Sequence, residues 1–203
     1  MQELKDILYG VNIISVNGDM KATVNHLTFD SRAVTPESVF FAIKGVSSDG
    51  HDYIKQVLAS GCKSIVVNKE INEVEGVNII QVENTKKALA LSASTFYGEP
   101  SKELKLIGIT GTNGKTTIAT LLFNLYNLMG FQTGLISTVI NKICDRDIPS
   151  THTTPDPISL NELLREMVEE GCSHCFMEVS SHSIHQDRIG GLHFSGGAFT
   201  NVT

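Results

Sequence analysis

The sequence predicts an α/β fold in two parts, a small mixed unit followed by part of a larger parallel-sheet domain. Three observations carry that expectation. Short strand-like runs before residue 98 alternate with two helix-like stretches. From Leu104 onward the elements lengthen and alternate as strand, helix, strand, helix, strand. A glycine-rich turn ending in lysine stands where the first of those longer strands should pass into a helix.

In chain order, VNHLTFDS (24–31), SVFFAIKG (38–45), SIVVN (64–68) and VNIIQV (77–82) are apolar, β-branched runs bounded by Gly, Asn, Asp and Pro, which reads as strands. HDYIKQVLASG (51–61) places Tyr53, Ile54, Val57 and Leu58 on one helical face and stops at Gly61. NTKKALALSASTFYG (84–98) opens on Asn84, a residue able to cap a helix, and closes on Gly98. The polar, proline-containing EPSKELK then reads as a linker, which puts the boundary at 98/99. Beyond it come a strand LKLIGIT, a helix from about Lys115 to Met129, a strand QTGLIS, a helix around Ser159 to Glu170, a strand HCFMEVS, and a strand-like tail GLHFSGGAFTNVT. That order implies parallel strands joined by crossover helices. Two long helices are a thin supply for both faces of such a sheet, so the second part is expected to be a truncated domain.

Composition excludes several classes of function. With 16 Lys and Arg against 22 Asp and Glu, the formal charge is −6, and 41% of residues are hydrophobic. The chain is therefore not disordered, and its overall field repels nucleic acid. The parts before and after residue 98 carry nine and seven basic residues against eleven acidic residues each, so neither is a basic module, and an anionic ligand needs a local site. No apolar run approaches the roughly 18 residues of a membrane helix, and the amino terminus lacks a signal pattern, which together predict a cytoplasmic protein without a membrane span. Cys62, Cys144, Cys172 and Cys175 are too few for a disulfide framework and are expected to be buried thiols, although Cys172 and Cys175 form a CxxC.

The sharpest chemical signal is IGITGTNGKTT (107–117). Glycines at a strand-to-helix turn let backbone N–H groups converge on an anion, and the helix terminus adds its positive end. Lys115 supplies a charge there, and a following hydroxyl can hold Mg²⁺. The strict phosphate-loop pattern wants glycine at 109, where this chain has Ile109; its glycines are Gly108, Gly111 and Gly114. A plain connecting turn would not need this lysine, and a dinucleotide fold would need a GxGxxG spacing that is absent. ATP or GTP is the expected ligand.

The spelling TGTNGKTT resembles the ATP-binding loop of the Mur ligases, ATP-dependent enzymes that add amino acids to the peptidoglycan precursor. Similar agreement is dispersed in order along the chain, in FDSR (29–32), VFFAIKG followed by DGHDYI (39–54), TTPDP (153–157) and MEVSSHSIHQDRIGGLHFSGGAFTNVT (177–203). The resemblance implies an amino-terminal α/β uridine-nucleotide domain over 1–98. A P-loop-type parallel-sheet ATPase domain would follow over 99–203, truncated, with the amino-acid-binding third domain absent. Within the family the pattern looks like the branch that joins a diamino acid, L-Lys or meso-diaminopimelate, to UDP-MurNAc-L-Ala-D-Glu through an acyl phosphate, with ATP and Mg²⁺. A monomer working on small molecules is implied, inactive in this truncated form. The branch that adds D-Ala-D-Ala and a non-catalytic nucleotide-binding module are the alternatives.

By resemblance, Gly111, Thr112, Asn113, Gly114, Lys115, Thr116 and Thr117 would wrap the phosphates, with Lys115 and Glu178 catalytic and Thr116 and Glu178 the magnesium contacts. Glu178 ends an apolar run, which suits a carboxylate at a strand end rather than a surface acid. Thr153, Thr154, Ser180, Gln186 and Arg188 match positions that hold the muramoyl-dipeptide. Hydroxyls and an amide suit a sugar and peptide, and arginine suits an anion. Phe29, Ser31, Ser47, Ser48 and Asp49 match positions at the uridine end. FDSR also permits a plain local Asp-to-Arg pair. His152 departs from the Asn of some relatives, and His182 and His185 are expected to orient the substrate loop or face solvent rather than bind metal.

Overall fold

Strands SVFF and SIVV have no polar face, and the structure buries them completely. They are interior strands of a parallel sheet covered on both sides. The computed structural model describes residues 1–150 and 152–202, and the chain divides into two compact units, Met1–Phe96 and Tyr97–Thr203.

In the first unit, β1 (Gln2–Glu3), α1 (Leu4–Ile7), β2 (Ile13–Asn17), β3 (Thr23–Val24), β4 (His26–Thr28) and β5 (Ser38–Phe41) precede a 3-10 turn (Gly50–Tyr53). After the turn come α2 (Ile54–Ala59), β6 (Ser64–Val67), β7 (Asn78–Val82) and α3 (Thr85–Phe96). The main sheet runs β2-β7-β6-β5-β4, parallel except for the edge strand β2. The single strand expected over 24–31 is two: β3 pairs with β1 in a separate ribbon, and β4 pairs with β5. Strands β1 and β2 and helix α1 lack strong periodicity, and the sequence does not predict them. The helix expected over 51–61 begins as the 3-10 turn, and Tyr53, at 41% exposure, leaves the core that keeps Ile54 and Val57. Asn84 caps α3, its Oδ1 accepting from the amides of Lys86 (2.9 Å) and Lys87 (3.1 Å).

The second unit opens with a 3-10 turn (Pro100–Lys102). It continues through β8 (Lys105–Thr110), α4 (Lys115–Leu128), β9 (Thr133–Ile136), β10 (Ile140–Ile143), β11 (Arg146–Pro149), α5 (Pro157–Glu169), β12 (His174–Glu178), α6 (Ser181–His185) and β13 (Gly196–Phe199). Its sheet order is β11-β10-β9-β12-β8-β13. The four strands β9, β12, β8 and β13 are parallel, and β10–β11 is an antiparallel hairpin that the sequence reading omitted.

Alternation along the strands feeds two cores. Ile109, Leu135 and Phe176 meet Ala119 and Phe123 of α4, while Leu106, Ile136, Cys175 and Met177 meet Leu160, Leu164 and Met167 of α5. Gly134 permits the second contact, because a Cβ there would lie 2.3 Å from Met167 Sδ. Asp156 starts α5 one residue before Pro157, its Oδ1 accepting from the amides of Ile158 and Ser159. Among the cysteines, Cys62, Cys172 and Cys175 are buried. Cys144, in the β10–β11 turn, is only half-buried, which corrects that part of the expectation.

Candidate functional site

Strand register decides what surrounds the glycine-rich loop. Strand β8 pairs in parallel with β12, Ile109 opposite Glu178, and with β13, Thr110 opposite Phe199. The loop that leaves β8 therefore emerges at the carboxyl end of the sheet with Glu178 on one side and Thr200–Asn201 on the other, where open α/β sheets bind ligands.

Gly111 has φ +130°, and a Cβ on it would lie 2.1 Å from Thr200 Oγ1. The Thr112 amide donates to Asn201 O (2.9 Å) and the Asn113 amide to Asn201 Oδ1 (3.1 Å), while Thr200 Oγ1 donates to Asn113 O (2.6 Å). Gly114, φ +84°, is the residue before α4, and it contributes no side-chain cap to the first helical turn. The space a Cβ would fill there is open to 4 Å. The Lys115 ammonium folds back over the loop and donates to the carbonyls of Gly111 (2.8 Å) and Thr112 (3.1 Å). An uncapped 14-residue helix, a lysine over its first turn and open space at the cap residue suit a phosphate group.

Glu178 is 1% exposed, so it is not a surface acid. Its Oε2 accepts from Thr116 Oγ1 (2.9 Å) and Thr138 Oγ1 (3.2 Å), and its Oε1 from the Thr138 amide (2.8 Å). A carboxylate and hydroxyls are hard oxygen donors of the kind Mg²⁺ takes, so the residues present fit that ion. Thr117, one residue beyond Thr116 on α4, is exposed.

The five residues matched to the muramoyl-dipeptide connect through hydrogen bonds to Thr138 or to the end of β12. Thr153 Oγ1 accepts from Thr138 Oγ1 (3.1 Å). Thr154 is buried, donating its hydroxyl to Glu178 O (3.0 Å) and accepting from the Ser180 amide (3.3 Å). Arg188 is anchored by Nε to Gln186 Oε1 (3.0 Å) and by an NH1 bond to Thr154 O (2.8 Å). Ser180 Oγ accepts from the Ser183 amide (3.1 Å) and so caps α6. His182 and His185 are exposed on α6.

In the first unit, a cavity of about 620 Å³ at the carboxyl ends of β4 and β5 is lined by Phe29, Ser31, Ser48 and Tyr53 among others. Ser47 and Asp49 are not among its lining residues. The Asp49 carboxylate is committed elsewhere. Oδ1 accepts from the His51 amide (3.0 Å) and its Nδ1 (2.6 Å), and Oδ2 from Lys69 Nζ (2.6 Å). Those bonds, Lys69 first, hold the carboxyl well below the usual carboxylate range. In FDSR, Asp30 and Arg32 do form a local pair (2.7 Å), which holds the Asp30 carboxyl down at about 2. A larger cavity of about 780 Å³ lies near the amino ends of β6 and β7 and contains none of the expected residues.

Sequence reasoning missed Thr138, Thr200 and Asn201. Thr138 carries a usable signal, a hydroxyl just past the end of a parallel strand. Asn201 carries none, because its contacts arise only from the β8–β13 register.

Comparison with known proteins agrees with this layout. Residues 23–97 match the Mur ligase family, catalytic domain, and residues 109–203 the Mur ligase middle domain. The chain is 51% identical over 203 residues to a UDP-N-acetylmuramoyl-L-alanyl-D-glutamate--2,6-diaminopimelate ligase of Cytophaga hutchinsonii and 49% identical over 202 residues to one of Bacteroides fragilis. Each alignment takes in 99% of this chain, which spans 42% of the length of either relative. Among solved structures, a UDP-N-acetylmuramoyl-L-alanyl-D-glutamate--2,6-diaminopimelate ligase superposes with a TM-score of 0.81 at 22% identity, covering 100% of this chain and 41% of that one. The MurF ligase of Thermotoga maritima in complex with ADP gives 0.51 at 24% identity, covering 78% of this chain and 32% of that one.

Proposed function

The chain belongs to the Mur ligase family, and from that premise we propose that it supplies the uridine-nucleotide and ATP-binding parts of an enzyme that joins a diamino acid to UDP-MurNAc-L-Ala-D-Glu. The observation that carries the reading is the buried Glu178 carboxylate, bonded to Thr116 at the foot of an uncapped helix whose loop holds Lys115. The amino acid is 2,6-diaminopimelate, the one named for the relatives, and L-Lys is the substrate to compare with it.

In this reading the second unit binds ATP and the first unit holds the uridine end in the cavity of Phe29, Ser31 and Ser48. The γ-carboxylate of D-Glu attacks the γ-phosphorus of ATP, ADP leaves, and the amine of the diamino acid displaces phosphate from the acyl phosphate to form the amide. Lys115 exchanges its two loop carbonyls for phosphate oxygens and offsets charge on the transferring group. The first-turn amides of α4 orient the same oxygens. Mg²⁺, held by Thr116 and Glu178, would neutralise phosphate charge. Arg188, fixed by Gln186 and Thr154, presents its remaining guanidinium edge to a carboxylate or phosphate of the muramoyl substrate. Among the described residues no helix is long and apolar enough to cross a membrane, and we place the reaction in the cytoplasm, with its soluble nucleotides.

The test uses the protein at the full length of its relatives, supplied with ATP, Mg²⁺ and UDP-MurNAc-L-Ala-D-Glu. Phosphate release that depends on 2,6-diaminopimelate, with formation of the tripeptide product, is the expected result. Release that instead requires D-Ala-D-Ala, or binding of both nucleotides without turnover, would overturn the reading.

A further inference from the structure

The β10–β11 turn and the α5–β12 turn bring two thiols together at the end of the sheet away from the glycine-rich loop. Cys144 Sγ lies 3.5 Å from Cys172 Sγ, although 28 residues separate them in sequence. Both are free, Cys144 half-buried and Cys172 6% exposed. Cys144 has a left-handed backbone, φ +52°, rare for a residue with a Cβ, and its amide is pinned to Thr133 O (3.0 Å). The β10–β11 turn therefore holds this sulfur beside its neighbour while leaving it partly open to solvent. Nothing in the nucleotide chemistry uses either group.

We propose that Cys144 and Cys172 are a redox-responsive pair, a modification site at which a hydroperoxide converts two thiols to a disulfide. The half-buried Cys144 reacts first. Burial and the adjoining Cys144 sulfur push the Cys172 thiol up to about 12, so Cys172 stays protonated and acts second. The Cys144 thiolate attacks one peroxide oxygen, the O–O bond breaks, and the departing hydroxide takes up a proton to become water. The Cys172 sulfur then attacks the sulfenic sulfur, its own proton leaves with the displaced hydroxide as a second water, and the S–S bond forms. Two thiols have lost two electrons and two protons, and hydrogen peroxide has become two waters.

Closing the bond needs the sulfurs to approach by about 1.5 Å, a shift that the turn at 144–147, where Asp145, Arg146 and Asp147 are exposed, can supply. Cys175 belongs to the same apolar cluster but is fully enclosed on β12, which leaves Cys144 as the partner peroxide can reach. The bond would staple the edge hairpin to the end of α5, far from Glu178, and so act on stability before chemistry.

The test exposes the full chain to limiting hydrogen peroxide, then titrates thiols in denaturant and maps linked peptides by mass spectrometry without reduction. The four thiols should fall to two, with Cys144 and Cys172 in the linked peptide and the melting temperature raised by several degrees until dithiothreitol is added. Cys144→Ser should keep its three remaining thiols, Cys172→Ser should lose Cys144 alone as a sulfenic acid with no linked peptide, and Cys62→Ser should still lose two. A Cys172–Cys175 link, oxidation of Cys144 alone with Cys172 still alkylatable, or an unchanged titre would overturn the proposal. The mapping on the unaltered chain decides this even where a variant fails to fold.

Discussion

Thr116 Oγ1 donates to Glu178 Oε2 at 2.9 Å, across 62 positions of sequence, and this one bond joins the first turn of α4 to the end of β12. It unites the second residue of α4 with the one carboxylate that the sequence reading assigns to the site. Because the Thr138 amide and hydroxyl point at the same carboxylate, the group is held from two directions.

Replacing Glu178 should separate charge from packing. Glu178→Gln keeps the shape and should leave the melting temperature within a few degrees, while ligation in the full-length protein falls about 100-fold and magnesium dependence weakens. Glu178→Ala leaves the Thr138 amide without its acceptor and should cost about 1–3 kcal/mol of stability, read by denaturant unfolding. Equal activity of Glu178→Gln and the unaltered protein would remove the carboxylate from the reaction.

Lys115→Ala removes a side chain whose present partners are two loop carbonyls, so the fold should tolerate it. Ligation should drop by roughly 10²–10³ or more. Binding of the uridine substrate, followed by calorimetry, should be unchanged if the first unit alone holds that end.

For Arg188→Ala, the expectation is a split between substrates. KM for UDP-MurNAc-L-Ala-D-Glu should rise about tenfold or more while KM for ATP moves little. Comparable shifts in both would mean that the arginine supports the loop through Thr154 rather than meeting the sugar peptide.

The first unit should respond to acid through Asp49. Its folded-state carboxyl lies below its ordinary value of 3.8, so the stability it contributes is present above that value and is lost as pH falls through the lower folded one. Asp30, held at about 2 by Arg32, acts in the same direction but more weakly, because Arg32 is largely exposed. Thermal unfolding between about pH 5 and 2 should therefore steepen for the unaltered chain and flatten for Asp49→Asn.

What could be read from sequence followed periodicity. Strands β5, β6, β8 and β12 are short apolar runs, and helices α3, α4 and α5 carry apolar residues at helical spacing, so element type was legible there. The hairpin β10–β11 was not, because Arg146 and Asp147 make its outer strand polar and it lies at a sheet edge where one face suffices. Tyr53 shows the limit of face-sharing. It is in phase with Ile54 and Val57, yet the backbone there is a 3-10 turn, and its ring lines the cavity beside Phe29 and Ser31. Glu178 was legible as a carboxylate after an apolar strand. That Thr138 and Asn201 adjoin it and the loop depends on strand order, which no local pattern encodes.

Asn201 has a consequence for how the protein is made. The loop at 111–114 leaves the ribosome more than eighty residues before the strand that brings Thr200 and Asn201 beside it. A nascent chain can complete α4 early, but the bonds from the Thr112 and Asn113 amides to Asn201 form only when β13 docks against β8. The final shape of this loop is therefore among the last features of this unit to mature, and a chain stalled before residue 196 would carry the motif without its finished contour.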